Sequence, residues 1–369
     1  MDILLSAFEQ SLRAQSRRER LPLSCVFEIS PTCNLRCHFC YVALDPYKGP
    51  YLTTEQVFRV LDKLEQAGVL WLTLTGGEVL SRRDFPEIYR YARRKGFLVM
   101  VFTNATMMNE RLAQLFRDEP PLSVEVSIYG ADAEHYEAVT GIPGSFARFE
   151  RGIKLLQQAG VSLLLKHPTS SLTEDHVPAI RDWCTQRGIP HKFSTTIENR
   201  HDGGQQPSLY RIQPKGVRRL NDDLHAAMTG EQRSMPLPEC NMGGPAGGPE
   251  KLYQCGAGRV ALFVDGLGRA SHCILDREPN FSLLDMEWND VWAQMGAWVD
   301  QPLPKEAPCS GCSLRGGCMN CPARSRMSTG SPYLKDTYYC DVTHAEYGLE
   351  PVKHPDYRAY ARPLGACAV

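Results

Sequence analysis

Cys25-Val26-Phe27-Glu28-Ile29-Ser30 runs straight into Pro31-Thr32-Cys33-Asn34-Leu35-Arg36-Cys37-His38-Phe39-Cys40, a β-type segment that delivers three cysteines spaced C-x3-C-x2-C. The segment is short, apolar and rich in β-formers, as buried strands are. Further segments of this kind follow at 71–75, 98–103, 124–129, 162–167 and 191–197. Helical patterns lie between them at 54–67, 84–95, 109–117, 145–160 and 176–187, and a last one at 214–228 follows the sixth strand. Thr53 with Gln56 reads as a capping box for the first of these helices. Strand–helix units in series predict an α/β fold with a parallel sheet, either open and doubly wound or a partial barrel. In such folds chemistry gathers at the carboxyl ends of the strands. There the first strand offers the cysteines, the second Gly76-Gly77-Glu78, the third Thr103-Asn104, the fourth Ser127 and the fifth Lys166-His167.

The chain has 369 residues, enough for two or three domains. Lys and Arg number 41 against 42 Asp and Glu, a balance that argues against a general nucleic-acid or membrane-surface binder. No apolar run reaches the length of a membrane span, and no signal-peptide core is present. The expected compartment is therefore the cytoplasm, where structural disulfides are rare and cysteines more often bind metal or do redox work. Residues 1–20 read as an amphipathic helix flanking a barrel of 21–230. A linker at 231–250, a cysteine-rich unit at 251–345 and an extended, proline-bearing tail at 346–369 complete the expected organisation.

Three thiolates on one tight loop can hold three corners of a [4Fe–4S] cluster, each corner taking one Cys. The next cysteine is Cys184, so one iron is left for a non-protein ligand. The competing reading is a zinc site completed by His38. A second set of thiols follows Cys255: after 12 residues comes Gly268, and after four more Cys273. Cys309, Cys312, Cys318 and Cys321 then read C-x2-C-x5-C-x2-C, and Cys340 closes the set. Spacing alone leaves a pair of structural zinc knuckles open here.

The motif Cys33, Cys37, Phe39, Cys40 resembles the hallmark C-x3-C-x-aromatic-C of the radical S-adenosylmethionine (SAM) superfamily. The resemblance implies a partial (βα)6 TIM-like barrel, with SAM chelating the open iron and splitting to methionine and a 5′-deoxyadenosyl radical. It also implies SAM-binding roles for Phe39, for Gly76, Gly77 and Glu78 (the family's GGE motif, here followed by Val79 where many relatives have proline), for Thr103 and Asn104, and for Ser127 at the ribose. The later cysteines resemble a SPASM-type C-terminal domain, small and loop-rich, carrying two auxiliary Fe–S clusters of [4Fe–4S] type; the last gap is one residue shorter than the usual form. Carried over by position, Cys309, Cys312, Cys318 and Cys340 hold the outer cluster, and Cys255, Cys273 and Cys321 belong to the inner one. Cys240 is the expected fourth inner ligand; the alternatives are an open site or a smaller cluster.

Relatives with this domain mostly act on peptides or proteins, and Tyr136–Gly141 with Gly144–Phe146 looks most like the peptide-maturing branch. The expected function is a maturase forming an oxidative cross-link in a ribosomally made peptide. The alternatives are a radical SAM oxidase of a folded protein, of the sulfatase-maturing type, or of a small molecule, and a non-SAM Fe–S electron-transfer protein. In a sulfatase-maturing enzyme an acid should directly follow the second auxiliary cysteine; here Ile274 follows Cys273 and Asp276 is the nearest acid. Only 32 residues precede Cys33, too few for a fused leader-binding domain, so a separate leader-recognition protein is expected. The other expected partners are the precursor peptide and an electron donor such as flavodoxin or ferredoxin. No general base stands out.

Overall fold

The computed structural model describes residues 2–42, 51–233 and 251–351. Cys240, most of the expected linker and the expected tail beyond 351 lie outside these residues. A first helix, α1 (Asp2–Glu19), precedes strand β1 (Ser24–Ser30). Then come α2 (Thr54–Gln66), β2 (Trp71–Gly76), α3 (Phe85–Arg94), β3 (Leu98–Thr103), α4 (Glu110–Asp118) and β4 (Ser123–Ser127). Helices α5 (Ala133–Thr140) and α6 (Ser145–Gln158) lead to β5 (Leu163–Pro168), α7 (Val177–Gln186), β6 (His191–Ser194) and α8 (Pro214–Thr229). The six strands pair in parallel in sequence order. This is the expected partial barrel, an α/β fold.

The local causes are visible in the sequence. At the start of α2 the Thr53 hydroxyl accepts from the Gln56 amide (3.3 Å) while Gln56 Oε1 accepts from the Thr53 amide (2.9 Å), a closed capping box. Alternate residues of β3, β4 and β5 (Val99 and Val101, Val124 and Val126, Leu163 and Leu165) are buried in one core with the apolar faces of the helices. Each such side chain contributes about 1.5–3 kcal/mol by leaving water. The other face is mostly polar, with Glu28 beside Thr75, Ser127 beside Lys166 and Lys166 beside Lys192 in register, and Glu125 beside Phe102.

Two features depart from the sequence reading. Helix α5 fills the stretch after the fourth strand; Asp132 caps it by accepting from the His135 amide, and Gly141 ends it at φ 66°. The cysteine-rich region is also less irregular than its composition suggests. Strand β7 (Ala261–Val264) pairs in parallel with β1, and β8 (Arg269–Ser271) and β9 (Phe281–Ser282) extend the sheet antiparallel, giving the order β6-β5-β4-β3-β2-β1-β7-β8-β9. Helices α9 (Trp288–Val299), α10 (Pro322–Thr329) and α11 (Thr337–Glu346) follow. Val291, Trp292, Met295 and Val299 give α9 a helical apolar stripe. Helix α1 and the residue after it reach both halves: Arg13 lies over the Trp71 ring, and the carbonyl of Arg20, just past the helix, accepts from the Trp292 indole (2.7 Å).

Candidate functional site

The loop after β1 is clamped from two sides. The amides of Arg36 and His38 donate to the carbonyls of Thr140 and Val139 at the end of α5 (2.9 and 3.1 Å). On the other side Gly77 donates to the Ser30 carbonyl (2.6 Å) and Glu78 to the Thr32 carbonyl (2.7 Å). A Cβ at Gly77 would stand 2.6 Å from the Thr32 carbonyl oxygen, and one at Gly76 would overlap the Ser30 carbonyl. The two glycines thus let the β2 turn press backbone to backbone against the cysteine loop.

Clamped in this way, Cys33, Cys37 and Cys40 line one cavity of about 370 Å³ together with Arg36 and Arg200. Burial, above all, pushes the Cys33 thiol up to about 11 and the Cys37 thiol up to about 12. Two donors already point at the Cys33 sulfur: the Leu35 amide at 3.4 Å and Asn104 Nδ2 at 3.8 Å. The Tyr129 hydroxyl stands beside both the Cys37 thiol and Ser127. Phe39 is buried and packs edge-on to Tyr129, their centroids 6.1 Å apart. Among the described residues no group of three or more His, Cys, Asp or Glu is placed to hold a single metal ion. Fit is therefore judged for a cluster, whose corners each take one thiolate. Three half-buried thiols around one cavity, with N–H donors to sulfur and two arginines to offset anionic charge, fit that group.

Glu78, Thr103 and Asn104 are tied to one another and to the cysteine loop. Glu78 is buried, and both its oxygens are engaged: Oε1 accepts from Thr103 Oγ1 (2.6 Å) and the Leu80 amide (2.9 Å), and Oε2 accepts from the Asn104 amide (2.7 Å). Burial raises its pKa against the pull of those bonds. Asn104 is turned towards the cysteine loop. Its Nδ2 donates to Asn34 Oδ1 (3.0 Å), Asn34 Nδ2 to Thr106 Oγ1 (2.7 Å), and Thr106 Oγ1 back to Asn104 Oδ1 (2.7 Å). The carboxylate of the glycine motif and the polar end of β3 thus brace the Cys33 loop. The motif names these residues without saying which way they point. Glu78→Gln leaves Thr103 or Asn104 facing a donor, so the expected loss is roughly 1–3 kcal/mol in urea unfolding of the apoprotein. A side chain that served only SAM would leave that unfolding curve in place.

On β5, Lys166 shares a sheet face with Ser127, pairs with Glu125 and lies over the Phe102 ring. His167 is neither solvated nor on that face. It is buried, its Nδ1 lies 2.8 Å from the Ile128 carbonyl, and burial lowers its pKa to about 4.

The later thiols gather into two neighbouring groups. Cys309 lies within electrostatic reach of Cys318 and Cys312, and Cys340 of Cys318 and Cys309. Cys273 lies within reach of Cys321 and Cys255. A cavity of about 210 Å³ is lined by Cys309, Cys312, Cys318, Cys340 and, at its margin with the other group, Cys321. Here too N–H and O–H groups face sulfur: Asn320 N and Thr343 Oγ1 stand 3.4 and 3.3 Å from Cys318, and Leu275 N stands 3.4 Å from Cys273. The donor sets fit Fe–S clusters on the same grounds. Asp276 is fully buried, bonded by Tyr253 and paired with Arg326 at 2.9 Å. Burial works to raise its pKa, but its neighbours His272, Tyr253 and Arg326 together outweigh that and hold it below the usual carboxylate range.

Composition marks 199–208 only as a loop, yet it joins the two regions. Arg200 and Gln206 line the first cysteine cavity, and the His201 amide donates to the Tyr41 carbonyl (3.1 Å). At its other side Asn199 Nδ2 donates to Ser328 Oγ (3.1 Å), and Gln205 Nε2 donates to the Ser328 carbonyl (2.9 Å), both on α10 just after Cys321. The presence of Arg200 at the thiols has no sequence signal, since its placement depends on the fold. Asn34, lying between the first two cysteines, carried a weak one.

The Radical SAM superfamily profile matches residues 27–184. Mycofactocin maturase MftC of Mycobacterium ulcerans is 29% identical over 352 residues, covering 89% of this chain and 88% of that protein. An AdoMet-dependent heme synthase of Methanosarcina barkeri is 24% identical over 336 residues, covering 86% and 96%. In fold, Streptococcus suis SuiB bound to its precursor peptide SuiA superposes with a TM-score of 0.68 at 16% identity, covering 90% of this chain and 80% of that one. With the profile falling on the strand–helix series that carries the cysteine loop, and the maturase likeness running on through the later thiols, this chain is a radical SAM enzyme related over most of its length to SPASM-domain peptide maturases.

Proposed function

We propose that the chain is a peptide maturase that forms an oxidative cross-link in a ribosomally made peptide. The reading is carried by one arrangement: a barrel-end thiol trio joined through the 199–208 segment to two further thiol groups. The likeness to mycofactocin maturase over both regions supports it. In this reading 21–230 forms the barrel unit and 251–345 the auxiliary unit. Cys33, Cys37 and Cys40 would hold the SAM-binding [4Fe–4S] cluster. Cys309, Cys312, Cys318 and Cys340 would hold the outer auxiliary cluster, and Cys255, Cys273 and Cys321, with Cys240, the inner one. When bound, SAM and its cluster supply a hydrogen-abstracting 5′-deoxyadenosyl radical, and auxiliary clusters supply an acceptor for the electron that a net two-electron oxidation releases. The chain's own part is placement. The glycine turn and α5 fix the thiol loop, the Glu78 and Asn104 bonds fix its Cys33 corner, and Ser127 and Phe39, both beside Tyr129 next to the Cys37 thiol, would serve the ribose and the ring of SAM.

A cytosolic setting fits, since the twelve cysteines among the described residues are all free thiols. No helix there is long and apolar enough to cross a membrane. A flavodoxin or ferredoxin would supply the reducing electron, and a separate protein would present the leader. The likeness to a heme synthase favours a second reading, oxidation of a small molecule. One experiment separates them: precursor peptide, SAM and reductant are incubated with reconstituted enzyme, and peptide mass and 5′-deoxyadenosine are followed together. A peptide lighter by two hydrogens is expected. Turnover of SAM with the peptide unaltered overturns the maturase reading and leaves the second.

A further inference from the structure

Strand β6 is the last strand of the sheet on its side, so one row of its main-chain N–H and C=O groups has no strand partner among the described residues. It floors a groove of about 840 Å³ whose walls come from α7 and α8. The floor and walls offer Ile189, Phe193 and Leu224, and Met228 stands 83% exposed at the rim. Among the described residues the groove has no Asp or Glu in its lining. Its arginines are spoken for: Arg181 pairs with Asp182, and Arg233 with Glu346 and Asp222. Lys192 enters no ion pair among the described residues and points to the exposed face of the strand, in register with Lys166.

We propose that this edge takes an extended, acidic stretch of peptide as an added strand. This deepens the maturase reading and rests on it. A strand added to a free edge gains main-chain hydrogen bonds, and alternate side chains then read opposite faces. Here one face offers the Lys192 ammonium, and the other offers Phe193 with Leu224 and Met228. An edge lysine by itself is a common guard against unwanted pairing. The trough distinguishes the two uses, because a guarded edge has no need of an apolar wall, here Leu224 and Met228 of α8, beside Phe193. The occupant should therefore alternate acidic and apolar residues. Position supports the choice: a few residues beyond β6 the chain reaches Arg200, which lines the cysteine cavity, so a strand laid parallel to β6 points towards the end of the barrel that bears the thiols.

The test uses the full, cluster-loaded protein and fluorescein-labelled synthetic 12-residue peptides read by anisotropy. The probes are alternating Glu-Val, alternating Lys-Val, and Glu-Val carrying N-methyl groups at alternate residues. The Glu-Val probe should bind at least about tenfold more tightly than the other two, a difference near 1.4 kcal/mol. Lys192→Glu should weaken it by about tenfold and strengthen the Lys-Val probe. Hydrogen exchange of the unaltered protein should slow at 189–194 when the Glu-Val probe is added. Equal binding of acidic and basic probes, indifference to N-methylation, or protection elsewhere overturns the proposal. So does protection at 189–194 that rises with protein concentration alone, which would make a second copy the occupant. SAM cleavage measured on the same samples reports separately on the enzyme reading, so the two can fail independently.

Discussion

Replacing Cys33, Cys37 and Cys40 together by Ala should end 5′-deoxyadenosine formation and lower the iron content by about four atoms per chain. The remaining iron should stay with the later thiols. The geometry sets this expectation, since the trio lines its own cavity and its loop is held by α5 and the β2 turn rather than by the cysteine-rich region. The auxiliary thiols have their own hydrogen-bond donors in Asn320, Thr343 and Leu275. Anaerobic iron analysis, electron paramagnetic resonance and chromatography of SAM products check the three parts separately. Persistent 5′-deoxyadenosine in the triple variant would refute the assignment. Zinc held tightly by anaerobically purified, unaltered protein would return the trio to a structural site.

The second large effect falls on a residue with no side chain. Gly76→Ala would set a methyl group against the Ser30 carbonyl, and neither neighbour can move without opening the sheet between β1 and β2. The expected cost is roughly 3 kcal/mol or more, at the upper end of overpacking effects. Gly77→Ala meets the Thr32 carbonyl and the Cys33 side chain, so it should displace the first thiol directly. Gly316→Ala is the control, because nothing lies within 4 Å of an added methyl there. It should change stability by less than about 0.5 kcal/mol. Urea unfolding of the apoproteins reads all three, and iron content after reconstitution reads the effect on the thiol loop. Gly76→Ala that unfolds like the parent would show that these glycines serve only the approach of a ligand.

The strand–helix series was legible because period-2 and period-3.6 patterns alternate cleanly up to about residue 228 and strands β1 to β5 each bury at least one face. The cysteine groupings were legible because short spacings confine thiols to one loop. Side-chain direction was not. Glu78 and Asn104 sit where a SAM contact is expected, yet three donors have captured the carboxylate and Asn34 has captured the amide. Apart from Leu80, two positions from Glu78, the partners lie 25 to 70 positions away in sequence. Helix α5 escaped the reading because its eight residues follow a strand end directly and three of them alone, Tyr136, Val139 and Thr140, are buried. Strands β7 to β9 escaped it because they are four, three and two residues long and gain their place by pairing with an edge already built.

That pairing of β7 with β1 has a mechanical meaning. The region bearing the auxiliary thiols is not a bead on a string but the far margin of the sheet that carries the first trio, with β1 shared between them. Severing the chain ahead of residue 251 would strip β1 of a neighbour, bare the flank from Ser24 to Phe27 and leave α1 without its Trp292 anchor. Such a fragment should clump rather than persist as a smaller catalyst. In the intact molecule the same join ties the two halves into one frame, so that reducing or loading one end cannot slide it far from the other.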